Sequence, residues 1–244
     1  MSGISVIFPA YNEELSLRAT MEKALPAMRE LGYPFEIIIV NDKSKDATGR
    51  IADELAAENH EIRVLHNEKN MGAGWSAVEG FRLARHELLF HNAIDYPFDL
   101  RDLPKLLEHC GDADIIAAAR VSRAGYTPYR ILTSIVHKRL LHLLFPLKLS
   151  DYNFVQIYPR AIWDLLEVET RSTAFLTPEA MIRAYDMGYR VKEVKIEYHP
   201  RLEGEATSGS PKVILRSLHD MLSFWWKRRQ RRRTPQLRDS RNPT

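Results

Sequence analysis

Polar residues that could bind a ligand follow five successive apolar runs of the sequence. They are carboxylates, amides, glycines and arginines, which supply charge, hydrogen bonds and close backbone approach. In chain order, the residues that we select are Pro9, Tyr11, Asn12 and Glu13, then Asp42 and Ser44, then Asn70, Gly72 and Gly74, then Asp95, and finally Arg120 and Arg130. Singly, Asn12 and Ser44 could cap helices and Asp95 could be a loop acid. Together they predict one binding site.

The apolar runs predict strands that alternate with helices. Strands are expected at 4–8, 35–40, 62–65, 88–90 and 114–119, with amphipathic helices between them. This order predicts an α/β fold with a doubly wound, mostly parallel sheet and helices on both faces. Ligands bind beyond the carboxyl ends of such strands, where the selected residues lie.

The second half of the chain is less regular. A helix is predicted over 129–149, and a strand over 154–158. We expect another helix to run from Pro178 to Met187, closed by Gly188, before an edge strand over 190–198. An amphipathic helix over 212–227 comes last.

Composition excludes several classes of protein. The 244 residues are 45% hydrophobic and 27% charged, unlike a disordered chain, a collagen or a disulfide scaffold. A single cysteine, Cys110, suits the cytosol, and neither a signal peptide nor an 18-residue apolar stretch is evident. We predict one domain over 1–226 and a basic, disordered tail over 227–244. The tail has eight basic residues and one acid, so the body is mildly acidic and no nucleic-acid partner is expected.

Several motifs resemble one enzyme family. Phe8–Glu14 (FPAYNEE) and Val40–Thr48 (VNDKSKDAT) resemble the opening of a family 2 glycosyltransferase with the GT-A fold. Asn70–Gly74 is similar to its N-x-G-x-G segment, and Asp95 lies at its D-x-D metal motif. Later segments resemble the polyprenyl-phosphate branch, of the dolichol-phosphate mannose synthase type, so that the resemblance covers roughly residues 3–210. They are Asp151–Phe154, Pro178–Glu179, Gly188–Val194 and Arg201–Gly204.

The resemblance implies a role for each selected residue. Asp42 would accept hydrogen bonds from the nucleobase of a nucleotide-sugar donor, in a pocket shaped by Pro9, Tyr11 and Glu13. Gly72 and Gly74 would approach the nucleotide, and Asn12, Ser44 and Asn70 belong to the same motifs. Asp95 would bind a divalent cation, Mg²⁺ or Mn²⁺, and Arg201 would bind the diphosphate. Arg120 and Arg130 would hold the phosphate of a polyprenyl-phosphate acceptor.

Three positions depart from the family pattern. Ala93 replaces the first acid of D-x-D, Asn41 replaces the first acid of D-D, and Val155 replaces a glycine. The implied cation site therefore has one carboxylate, unless Asn92 substitutes for the other. The implied reaction is inverting transfer from a nucleotide sugar to a polyprenyl phosphate. The alternatives are a hydroxyl acceptor, with Asp151 or Glu179 as the base, and a non-catalytic nucleotide-binding homologue.

Two segments suggest contact with an anionic membrane surface. The predicted helix over 129–149 mixes apolar and basic residues, and Trp225 and Trp226 precede a run of arginines. Tryptophan favours the headgroup region, and basic residues favour anionic lipids. We therefore expect a cytoplasmic protein that is peripheral to the membrane. A core helix and a solvated tail are the alternatives.

Overall fold

A computed structural model describes residues 3–122, 126–170, 172–197 and 211–233. In this part of the chain, seven strands and eight α-helices alternate. The strands are β1 (Ile4–Ala10), β2 (Phe35–Asn41), β3 (Ile62–His66), β4 (Leu88–His91), β5 (Ile115–Arg120), β6 (Gln156–Pro159) and β7 (Val191–Ile196). The helices are α1 (Leu17–Glu30), α2 (Thr48–Glu58), α3 (Ala73–Leu83), α4 (Leu103–Leu107), α5 (Pro128–Leu144), α6 (Arg160–Trp163), α7 (Thr173–Asp186) and α8 (Pro211–Arg233).

The strands form one sheet in the order β3-β2-β1-β4-β6-β5-β7. β6 is antiparallel to both of its neighbours, and the other pairs are parallel. The predicted α/β fold with a mostly parallel sheet is therefore confirmed. β7 lies at an edge, as its mixed composition predicted.

The two faces of the sheet pack against different helices because side chains alternate along each strand. Val6 and Phe8 of β1 belong to a core that includes α1, α2 and α4. Ile7 belongs to the opposite core, which includes α3, α7 and α8. Helices thus cover both faces.

Three predicted helix boundaries are wrong. The helix predicted over 129–149 is α5, which ends at Leu144. α7 begins at Thr173, so Pro178 lies inside the helix and Glu179 is not in its first turn. α8 continues to Arg233, so residues 227–233 of the predicted tail are helical. Residues 234–244 lie outside the described part of the chain.

α8 packs one side against the body. Ser217, Met221 and Phe224 recur at helical spacing and are buried, whereas Leu222 and Trp226 are exposed on the other side. Among the described helices, none combines the length and the apolar composition that crossing a bilayer requires.

Candidate active site

Hydrogen bonds join the loop after β1 to the loop after β2. Asn12 and Lys43 have positive φ angles of 54° and 60°, which turn the two loops sharply. The bonds run from Asn12 N–H to Ser44 Oγ (3.1 Å), from Glu13 N–H to Thr48 Oγ1 (2.7 Å), from Glu14 N–H to Asp46 Oδ2 (3.2 Å) and from Lys45 N–H to Asn12 Oδ1 (2.9 Å). The two motifs therefore form one wall.

Asp42 connects this wall to the loop after β3. Its carboxylate accepts hydrogen bonds from Asn67 Nδ2 (2.9 Å) and from the backbone N–H groups of Met71 and Gly72 (both 2.7 Å). Asp42 is only 1% exposed. Gly72 has a φ of 86°, which glycine adopts without strain. The buried carboxylate thus fixes the glycine turn beside the cavity.

A cavity of about 850 Å³ lies at the carboxyl edge of the sheet. Nine of the residues selected from the sequence line it. They are Pro9, Tyr11, Glu13, Asp42, Asn70, Gly72, Asp95, Arg120 and Arg130. The volume lies within the usual range for ligand-binding cavities. Residues separated by almost 90 positions, Asp42 and Arg130, thus share one site.

Three selected residues do not line the cavity. Asn12 and Ser44 bond to each other across the two loops, and Gly74 is buried in the first turn of α3. Asn12 and Ser44 thus help to build the wall, and contact of these three residues with the nucleotide stays a prediction. Arg201, the predicted diphosphate ligand, lies outside the described residues.

Arg120 is held by its neighbours. Its Nε and Nη2 donate to the two oxygens of Asp151 (2.6 and 2.9 Å), and Nη1 donates to Tyr126 Oη (2.6 Å). Arg130 also lies against Tyr126, with its Cζ 4.1 Å from the centre of the ring. The two arginines and Asp151 therefore lie close together in the lining of the cavity.

α5 and α8 also line the cavity. Leu132, Val136, Val213, Ile214 and Leu218 contribute apolar side chains, and Thr133, Ser134, His137, Lys138 and Ser217 contribute polar ones. The lining thus combines acids, arginines and a mixed surface from these two helices. The sequence did not indicate that α8 lines the cavity.

Two histidines of the cavity were missed by the sequence analysis. Burial lowers the pKa of both His91 and His137 to about 4. His137 Nε2 contacts Ser217 Oγ (3.3 Å), whereas His91 Nδ1 is buried without a partner among the described residues. Both rings are neutral at pH 7. His91 lies two residues before the predicted metal motif at Ala93 and ends the apolar strand β4, so no motif marked it as a site residue.

Glu179 cannot serve as the base of a hydroxyl acceptor. It is fully buried, outside the cavity lining, and accepts hydrogen bonds from the N–H groups of Glu169 (3.0 Å) and Thr170 (2.8 Å). Arg183 Nε also donates to it, at 2.7 Å. Its carboxylate stabilises the segment before α7. Asp151, in contrast, lines the cavity.

At the predicted metal motif, one carboxylate lines the cavity. Asp95 lines it, whereas Asn92 is buried, donates to the carbonyl of Phe98 (2.8 Å) and accepts from Ala93 N–H (3.1 Å). Asn92 is thus not a substitute ligand. In the described part of the chain, no three histidine, cysteine or acidic side chains cluster as a cation site. The donor set fits a cation that a diphosphate also binds.

Residues 5–162 match the family model described as "Glycosyl transferase family 2", which covers well over half of the chain. The chain belongs to this family. It is 28% identical over 232 residues to glycosyltransferase AglD of Haloferax volcanii. The matched region covers 91% of this chain and 37% of that protein. It is 30% identical over 178 residues to an undecaprenyl-phosphate 4-deoxy-4-formamido-L-arabinose transferase of Pectobacterium carotovorum, covering 71% and 54%. The chain thus spans only part of these relatives.

Another relative has a similar length. The undecaprenyl-phosphate mannosyltransferase of Micrococcus luteus is 28% identical over 214 residues, covering 83% of this chain and 86% of that protein. Among solved structures, glucosyl-3-phosphoglycerate synthase of Mycobacterium tuberculosis, in complex with Mn²⁺, UDP-glucose and phosphoglyceric acid, matches with a TM-score of 0.70 and 16% identity. The match covers 92% of this chain and 80% of that one, and it supports the glycosyltransferase fold.

Proposed function

We propose that this glycosyltransferase moves a sugar from a nucleotide diphosphate sugar to a polyprenyl phosphate, with inversion at the anomeric carbon. The observation that carries the proposal is a single cavity whose lining joins Asp42 and Asp95 to two arginines and to apolar residues of α5 and α8. A sugar nucleotide is largely polar, whereas a polyprenyl phosphate has an anionic head and an apolar chain. The lining offers groups that could contact each of these parts. Relatives named undecaprenyl-phosphate transferases support this acceptor.

The donor would occupy the part of the cavity near Asp42 and Asp95. Pro9, Tyr11 and Asp42 would contact the nucleoside, and the backbone at Gly72 would approach the phosphates. Asp95 would hold a divalent cation, Mg²⁺ or Mn²⁺, which neutralises charge on the departing diphosphate. The structural relative in complex with Mn²⁺ supports a cation in this fold. The assignment of Arg201 to the diphosphate stays a prediction.

The acceptor phosphate would bind at Arg130 and Arg120. A phosphate oxygen is anionic at neutral pH, so attack on the anomeric carbon needs positioning and charge neutralisation rather than a base. Asp151 partly neutralises Arg120, so Arg130 supplies the larger net positive charge at this point. The first part of the prenyl chain would follow Leu132 and Val136 towards α8.

We also propose that the protein works at the cytosolic surface of a membrane. α5 supports this location because it has no acidic residue and exposes Leu132, Ile135 and Leu143, the last of them 79% exposed. The basic end of α8 supports it less. Lys227 and Arg231 pair with Glu169 (2.5 and 3.2 Å), and Arg228 pairs with Asp186. Anionic lipids would have to compete with these acids.

Transfer to a lipid tests the proposal directly. The protein is incubated with Mn²⁺, undecaprenyl phosphate and radiolabelled UDP-glucose, UDP-N-acetylglucosamine or GDP-mannose, and label is counted in the organic phase. We expect one donor to give lipid-linked sugar and Asp95→Asn to lower the rate about 100-fold. Asp112→Asn, at a surface ion pair with Lys192, is the matched control and should not change it. No labelled lipid from folded protein would contradict the proposal.

A hydroxyl acceptor is the second candidate, because Asp151 lines the cavity and could act as a base. A non-catalytic homologue is the third, since the metal motif lacks one acid. It would bind UDP or GDP without turning over any sugar nucleotide at saturating Mn²⁺.

A further inference from the structure

A chain of hydrogen-bonded side chains runs from the surface of α2 to the turn after β2. His66 Nε2 lies 3.0 Å from Asp53 Oδ1, and His66 Nδ1 lies 2.9 Å from Asn41 Nδ2. Asn41 Oδ1 accepts a hydrogen bond from the backbone N–H of Ser44, at 3.1 Å. We call these three side chains the Asp53–His66–Asn41 chain. None of the three lines the cavity.

The partners fix the protonation state of the imidazole. Because Asn41 Oδ1 faces the N–H of Ser44, its amide NH₂ faces His66 and must donate. His66 Nδ1 is therefore the acceptor and has no proton. The single imidazole proton lies on Nε2 and is donated to the carboxylate of Asp53. In this arrangement Nδ1 accepts and Nε2 donates.

Asn41 has little freedom to adapt. A methyl group at Gly49, in the first turn of α2, would lie only 2.8 Å from Asn41 Nδ2. The helix backbone thus packs directly against the amide. Beyond Asn41, Ser44 Oγ accepts from Asn12 N–H, and Tyr11 and Glu13 on either side of Asn12 line the cavity. The Asp53–His66–Asn41 chain therefore ends at the wall formed by the loops after β1 and β2.

We propose that His66 is a positioning residue for the donor nucleotide and that its protonation weakens nucleotide binding. The inference rests on the proposed function for the identity of the ligand at this wall. Protonation would place an Nδ1–H against the amide NH₂ of Asn41. That contact would break, or the amide would rotate and lose the bond to Ser44 N–H. Histidine changes charge between about pH 5 and 8.

Within the described residues, Asp53 of α2 is the charged side chain that contacts His66. Asn41 itself stands where the family pattern has an acid. An aspartate there would accept from an Nδ1–H, and the imidazole between two carboxylates would be favoured in its protonated form. With asparagine at position 41 the contact needs a His66 Nδ1 without a proton, whereas with aspartate it would need one that has a proton.

Nucleotide affinity at two pH values tests the inference. Binding of UDP and of GDP to the full chain with Mn²⁺ is measured by calorimetry at pH 7.5 and 5.5, where His91 and His137, with pKa values of about 4, stay neutral. We expect the affinity of the wild type to fall about fivefold more than that of His66→Gln. Glutamine still accepts from Asn41 but takes up no proton. His60→Gln, at an exposed histidine, should behave as the wild type.

A second variant should show the opposite pH dependence of nucleotide binding. Asn41→Asp should bind the nucleotide better at pH 5.5 than at pH 7.5, relative to His66→Gln. Equal pH dependence in the wild type and His66→Gln, with both folded by circular dichroism, would overturn the inference, as would an unchanged pH dependence in Asn41→Asp. If neither nucleotide binds at either pH, the inference and the proposed function both fail. If the pH difference is found but no lipid is glycosylated, only the proposed acceptor fails.

Discussion

Asp151 separates the two acceptor chemistries at the level of a single residue. Its carboxylate makes a bidentate pair with Arg120, and both side chains are largely buried. For a phosphate acceptor, Asp151 orients Arg120. For a hydroxyl acceptor, it removes a proton in the rate-determining step.

We predict that Asp151→Asn raises the KM for undecaprenyl phosphate about tenfold and leaves the shape of the pH–rate profile unchanged. The reason is that an amide accepts only one of the two Arg120 bonds and leaves the guanidinium less well placed. Steady-state kinetics over pH 6–9 measure this, with Asp164→Asn, at an exposed position, as control. Loss of the pH-dependent limb with a collapse of kcat would instead identify a base.

Residue types and their order predicted most of the cavity lining but not the bonds behind it. Asp42, Asp95 and Arg130 were found because strand ends of a parallel sheet meet at one edge. The bond between Asn12 and Ser44 was not predicted because it joins residues 32 positions apart, which no local spacing reveals. His91 was missed because it ends an apolar strand and resembles a core residue.

Glu179 shows how one helix boundary changes a functional assignment. Proline favours the first turn of a helix, so Pro178 predicted a helix start with Glu179 in the first turn. The buried Phe175 and Leu176 instead extend α7 back to Thr173. Packing of Phe175 against Phe145 and Phe224 overrides the local preference of proline. Glu179 is therefore a buried anchor for the backbone of Glu169 and Thr170.

We predict that Glu179→Gln lowers the free energy of unfolding by about 2 kcal/mol, because its amide NH₂ would face a backbone donor. The kcat of the folded fraction should stay within about twofold of wild type. Urea denaturation and kinetics on the same sample measure both. A 100-fold loss of kcat with unchanged stability would restore Glu179 as a base.

The alternation of strands and helices was predictable because buried parallel strands are continuous apolar runs. The place of α8 was not, since its contacts are all remote in sequence. Met221 and Phe224 join the core beneath α7, and Val213 and Leu218 close the cavity. Sequence periodicity shows that a helix has an apolar side, but not what that side covers.

At the scale of the whole molecule, buried histidines should make stability depend on pH. Burial lowers the pKa of His91 and His137 from about 6.5 to about 4. Between these values the unfolded chain binds more protons than the folded one. Their contribution is therefore fully present above about pH 6.5 and is lost as pH falls towards 4.

We predict that His91→Phe makes the loss of stability between pH 6.5 and 4 shallower than in the wild type, because one group no longer takes up a proton on unfolding. Urea denaturation at several pH values gives the slope, and His60→Gln, at an exposed site, should reproduce the wild-type slope. An identical slope for His91→Phe would show that His91 is protonated equally in both states.

A structure with bound nucleotide and Mn²⁺ tests the central assignment most directly. The protein is crystallised with the diphosphate, UDP or GDP, of the sugar nucleotide that it uses. We predict that the base lies beside Pro9, Tyr11 and Asp42 and that the cation bridges Asp95 and the diphosphate. A nucleotide bound outside this cavity, or a cation that Asp95 does not contact, would contradict the assignment.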